Sequence, residues 1–206
     1  MGSRAPHTDK MAILKITRMG HPVLKTRAQE IPDPTTREIR NLVEDMHDTL
    51  DDVQGAGLAA PQVHVSKRLV IFAAPREHDD DESIPETDFT TMTEIINPEW
   101  HPLSDDMALG WEGCLSVPGL TGAVPRHTHI RYSGYSPQGS LIERNATGFH
   151  ARVFQHEFDH LDGILYPMRM NDLSLLVFTK EAKRFGLPSL LIGKDSGDER
   201  GEEYYV

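Results

Sequence analysis

The residues best placed to do chemistry are the two histidines and the glutamate of His156-Glu157-Phe158-Asp159-His160. On a helix, His156 and His160 lie about 40° apart around the axis and one turn along it. Both imidazoles can then meet one ion. Glu157 is offset from His156 by about 100°, so it reaches a water held by that ion rather than the ion itself. The ion lowers the pKa of the water, and the carboxylate takes its proton and later hands it to a leaving group. This is the chemistry of a metal-dependent hydrolase. Phe154, Phe158 and Leu161 surround the trio and mark a buried helix, where polar side chains need partners.

A third ligand is needed, and no histidine follows His160. Gly163 fits an extended HExxHxxGxxH pattern, but Tyr166 stands where its third histidine would be. Glu181, on the next helix, is one candidate and would give a zinc endopeptidase. Cys114, the only thiol in the chain, is the other. A lone cysteine is commonly a small buried hydrophobe. Its setting in Trp111-Glu112-Gly113-Cys114-Leu115-Ser116 is polar and glycine-containing, unlike an apolar strand. A thiolate with two imidazoles suits Fe(II), Zn, Ni or Co.

These side chains need elements to hold them. Apolar residues recur at helical spacing over 34–52, with Asp33 as cap and Pro34 at the first helical position. Leu69–Ala73 reads as a buried strand. Short strands follow at Thr93–Ile96, Gly119–Val124, Thr128–Tyr135 and Ser140–Ala146. The helix carrying the histidines runs over about Gly148–Asp162 and stops at Gly163. A last helix spans about Asp172–Phe185. The expected fold is α+β: short antiparallel strands packed around a central helix carrying HExxH, with an N-terminal and a C-terminal helix.

Of the 206 residues, 38% are hydrophobic, but the polar excess gathers at the N-terminus, at 75–91 and at 194–206. The middle can therefore still build a packed core. Residues 1–10 are expected to be a leader or extension, 11–193 one catalytic domain, and 194–206 a polar acidic tail. The acidic segment 75–91 has no EF-hand spacing and reads as a surface loop. A net charge of −11 argues against DNA as a partner. One cysteine excludes an internal disulfide framework, and no apolar run reaches the length of a membrane span. A cytoplasmic monomer is expected.

Three segments together carry a resemblance: Gly55-Ala56-Gly57-Leu58-Ala59-Ala60-Pro61-Gln62, Glu112-Gly113-Cys114-Leu115-Ser116, and Gln155 to Gly163 around the two histidines. In order and spacing they resemble the GxGLAAxQ, EGCLS and HExDH motifs of the peptide deformylases. Gly20-His21-Pro22-Val23-Leu24, Ile96-Asn97-Pro98 and Val124-Pro125-Arg126 add weaker matches. The resemblance implies an enzyme that removes the formyl group from the N-terminal methionine of newly made polypeptides and releases formate. It implies Cys114, His156 and His160 as ligands of one divalent metal, Fe(II) natively, with Ni, Co or Zn able to replace it. Glu157 becomes the acid/base, with Gln62 and the Leu115 N–H stabilising the oxyanion. Gly57 pairs its backbone with the peptide, and Gly55, Glu112 and Gly113 line the substrate. A transient ribosome contact is implied by the same substrate. Lys180, Lys183 and Arg184 offer some positive charge for it, which the acidic tail opposes.

Overall fold

The computed structural model describes residues 12–74, 91–188 and 190. The expected leader, most of the acidic segment 75–91 and the acidic tail lie outside the described residues.

Among the described residues eight strands, β1 (Gly57–Ala59), β2 (Leu69–Ala74), β3 (Thr91–Pro102), β4 (Met107–Gly113), β5 (Leu120–His127), β6 (His129–Tyr135), β7 (Leu141–Thr147) and β8 (Leu176–Phe178), combine with three helices. The helices are α1 (Arg37–Val53), α2 (Gly148–Leu161) and α3 (Thr179–Phe185). A five-stranded antiparallel sheet runs β1-β2-β3-β6-β7 and a three-stranded one runs β4-β5-β8. The α+β architecture agrees with the sequence expectation.

The two-residue alternation of β2 explains the layering. Val70 and Phe72 point to one side, where Val153, Phe154 and Leu161 of α2 pack on them with Ile95 and Tyr132. Leu69 and Ile71 point to the other, where Ile39, Val43, Met46 and Leu50 of α1 cover them. β2 is thus buried on both faces of the sheet, and α2 is locked onto one of them. Tyr132 and Phe154 stack with ring centroids 4.3 Å apart. Arg68 ties down the end of α2: it pairs with Asp162 at 2.7 Å and lies over the Phe158 ring at 5.1 Å. Gly163 ends the helix with φ +74°, and a Cβ there would stand 2.7 Å from the Lys25 carbonyl carbon.

Several boundaries differ from expectation for local reasons. The cap of α1 is Thr36, whose hydroxyl accepts from Ile39 N–H at 3.3 Å. Asp33 instead binds the N–H and hydroxyl of Thr35, so Pro34 lies in a turn before the helix. β3 extends past Ile96 because Asn97, at φ +49°, and Pro98 form a bulge rather than an end. The Asn97 amide holds both backbone groups of Ile31 at 2.9 Å. The expected last helix is reduced to α3. Its first part forms a 3-10 turn at Leu173–Leu175 and then β8, since Leu176–Phe178 completes the open edge of β5. That pairing satisfies backbone groups no short isolated helix would satisfy.

His150, in the first turn of α2, is buried against Phe72 and bonded to the Tyr132 hydroxyl at 3.0 Å. Burial, with the Arg144 charge second, pushes its pKa down to about 4. The unfolded chain takes up this proton near pH 6.5, the folded protein only near 4. The group therefore subtracts nothing above pH 6.5 and progressively lowers stability as pH falls through that window. We expect urea unfolding to show the fold losing of order 3 kcal/mol from this group between pH 7 and 4, a loss absent in His150→Gln. An equal acid loss in both proteins would refute it.

Candidate active site

The site lies where three stretches of chain meet. The edge strand β1 delivers Gly57 and, through a 3-10 turn, Gln62. The end of β4 delivers Glu112 and Gly113, with Cys114 and Leu115 directly after them. The third stretch, α2, delivers His156, Glu157 and His160. One face of this helix is apolar against the sheet and the other is polar but equally buried, with His156 2%, Glu157 1% and His160 1% exposed.

The sulfur of Cys114 and nitrogens of His156 and His160 all lie within 4.8 Å of one another. Cys114 Sγ is 3.4 Å from His160 Nε2. Nitrogen and sulfur ligands of a tetrahedral ion stand about 3.5 Å apart, so the spacing fits a metal. Chemistry fits as well. Burial, with the His156 charge second, pushes the His160 pKa well below its ordinary value, which keeps the ring neutral and able to ligate. Burial pushes the Cys114 thiol up to about 12 against the opposing Ser116 N–H, so only a cation taking the proton's place would make it a thiolate. Glu181, the alternative third ligand, is exposed on α3 and is not among these converging atoms. Tyr166 is buried and stacks on the His156 ring at 6.2 Å.

His156 is oriented from behind. Its Nδ1 meets Glu112 Oε2 at 2.9 Å, leaving Nε2 for an ion. The Glu112 carboxylate was expected at the substrate, but it has 0% exposure and faces inward. Arg126 grips it with two bonds of 2.9 and 3.0 Å, and Arg152 adds one of 2.8 Å. Arg126 continues to Asp159 at 2.6 Å, and Arg169 binds Asp159 through two nitrogens. A buried carboxylate demands such cations. Burial alone would raise the Glu112 pKa, but Arg126 and then His156 overcome it and hold it well below the usual carboxylate range.

Burial, with the Glu112 charge second, pushes Glu157 well above the usual carboxylate range. Its Oε2 is buried without a hydrogen-bond partner. Gly57 passes so close that a Cβ there would be 2.7 Å from the Glu157 carboxyl carbon. Gln62 Oε1 accepts from Ala59 N–H at 2.8 Å, which aims its Nε2 at Cys114 Sγ, 3.6 Å away.

The sequence-predicted Gln62, Gly57, Cys114, Leu115, His156, Glu157 and His160 thus come from the three stretches that meet here. Sequence reasoning missed the roles of Arg152, Asp159 and Arg169. A signal existed for two of them: Arg152 and Asp159 share a helix face with His156, at spacings of four and three, inside a helix otherwise read as buried.

Fold and site together define a metallohydrolase of the HExxH kind. The sequence profile of the polypeptide deformylases matches residues 13–175. The chain belongs to that family: it is an enzyme, a metal-dependent hydrolase that removes the N-formyl group from newly made polypeptides. Among its relatives is peptide deformylase 1 of Bordetella pertussis, 51% identical over 80% of this chain and 92% of that one. A class I type b peptide deformylase from Acinetobacter baumannii, solved with Met-Ala-Ser bound, superposes with TM-score 0.69 at 36% identity, covering 78% of this chain and all of the other. The Ehrlichia chaffeensis peptide deformylase in complex with actinonin gives TM-score 0.70 at 32% identity, over 80% and 92%.

Proposed function

We propose that Cys114, His156 and His160 hold one divalent metal, Fe(II) natively, and that Glu157 moves the proton in deformylation of formyl-methionyl chains. The convergence of the three ligand atoms beside the unpartnered Glu157 oxygen carries this reading. A divalent ion held by Cys114, His156 and His160 would act as a Lewis acid and lower the pKa of a water. Glu157 would take the proton of the attacking water as its oxygen adds to the formyl carbon. Gln62 Nε2 and the Leu115 N–H donate to the oxygen that gains negative charge. The carbon–nitrogen bond then breaks, Glu157 returns the proton to the amine, and formate leaves. A pKa raised by burial suits a group that must hold a proton between these two steps.

The peptide is bound as an added strand on β1, which has one free edge because it ends the sheet. Gly57 and Gly55 supply the backbone, Gly113 lines the facing side, and Glu112 acts through His156. Catalysis resides in one unit, residues 11–193, working as a monomer in the cytoplasm. Among the described residues no helix is long and apolar enough to cross a membrane. Lys180, Lys183 and Arg184 on α3 would serve a transient ribosome contact.

Formate release from formyl-Met-Ala-Ser tests the whole reading. Folded protein loaded with Fe, Ni or Co and releasing none would overturn it, and anomalous scattering at the three ligands identifies the native ion. Gln62→Ala is expected to lower kcat about 10²- to 10³-fold with the metal retained. A loss under about threefold would remove Gln62 from the oxyanion's donors.

A further inference from the structure

Residues 14–19 run between the two loops that build the site. Thr17 N–H donates to the Gln62 carbonyl and Met19 N–H to the Ser116 carbonyl, each at 2.7 Å. Beside this segment lies a surface cavity of about 650 Å³ whose lining includes Lys15, Arg18, His21, His64 and Leu115. Among the described residues no acidic side chain lines it, although the whole chain carries a net charge of −11. Lys15 and Arg18 are exposed, and neither has an ion-pair partner among the described residues. The His21 and His64 rings meet edge to face at 4.9 Å.

Leu115 joins this cavity to the reaction centre. A Cβ on Gly55 would be 3.3 Å from Leu115 Cδ1, whereas one on Gly57 would press on Glu157. In the binding mode proposed above, the reacting end of the peptide lies at Gly57 and the chain leaves past Gly55 and Leu115. An extended chain advances about 3.3 Å per residue, so a peptide leaving past Leu115 carries its downstream side chains toward the cavity.

We propose that this cavity is a subsite for acidic side chains of the nascent polypeptide downstream of its formyl-methionine, with Lys15 and Arg18 supplying the charge. The proposal rests on the deformylase reading of the adjoining site. Unpaired cations beside a peptide-binding edge raise the local concentration of anionic chains and shorten the list of good substrates.

The test compares formyl-Met-Ala-Ser peptides extended by Asp-Asp, Ser-Ser or Lys-Lys. At low salt kcat/KM is expected to be about tenfold higher for the Asp peptide than for the Lys peptide, the difference lying in KM. In about 0.5 M NaCl the ratio should fall toward unity. The double variant Lys15→Glu/Arg18→Glu should invert the ratio while turning over the Ser peptide at the wild-type rate. Equal kcat/KM for the Asp and Lys peptides, or an unchanged ratio in the variant, overturns the proposal. If the variant instead loses only co-sedimentation with ribosomes, the cavity serves RNA phosphates and the peptide subsite is refuted. Failure to hydrolyse the Ser peptide would count against the deformylase reading alone. Calorimetric binding of the unformylated Asp and Lys peptides would still decide the subsite, with equal affinities overturning it.

Discussion

Glu157→Gln is expected to lower kcat/KM about 10²- to 10⁴-fold while the protein keeps its metal and its fold. Glutamine fills the same volume beside Gly57 but cannot accept a proton. The substitution also removes a buried carboxylate with one oxygen lacking any partner, so thermal stability should stay level or rise. Activity that collapses together with metal content would make Glu157 a structural residue. Turnover within tenfold of wild type would show that the proton moves by another route. The readouts are formate release, metal stoichiometry and the melting temperature.

Arg126→Ala should lower the unfolding free energy by about 3–5 kcal/mol, the largest single loss of stability we anticipate around the site. Arg126 is 4% exposed and stands between two buried carboxylates, Glu112 and Asp159. Removing it leaves both charges without their shared cation. Arg152 still holds Glu112 and Arg169 still holds Asp159, which is why the loss is finite. The depressed Glu112 pKa gives the sign of the pH dependence. The folded protein favours the charged carboxylate, so the network contributes fully above the ordinary carboxylate range and its contribution is lost progressively as the pH falls below that range. Urea unfolding at neutral pH measures the difference, and a loss below about 1 kcal/mol would mean that water replaces the guanidinium.

The chemistry was legible in the sequence because its residues are rare types at a fixed spacing. His156, Glu157 and His160 needed only helical geometry to be placed together. The partner of the two histidines was not so placed: Cys114, favoured by its polar setting, and Glu181 both stayed open until the three motifs were considered together. α1, α2 and most strands were legible from periodicity. β4 was not, because Gly110 and Gly113 interrupt its alternation and its existence depends on pairing with β5. The same holds for β8, where Leu176–Phe178 takes its conformation from a distant strand edge. The inward setting of Glu112, which the resemblance places at the substrate, was not legible for a related reason: the guanidiniums that surround it arrive from β5 and α2.

The three stretches that meet at the site also have a consequence for how the enzyme comes into being. Gln62, Cys114 and His160 touch only through long-range packing, and β5 is completed by a strand that follows all of them. No fragment that ends before α2 contains the full set of site residues, since the helix bearing the histidines is synthesised after most of the sheet. Loops that close late dominate the folding time of such topologies. The enzyme that processes emerging chains therefore gains its own activity only once α2 has emerged, and chains truncated before α2 should accumulate as inactive, metal-free protein.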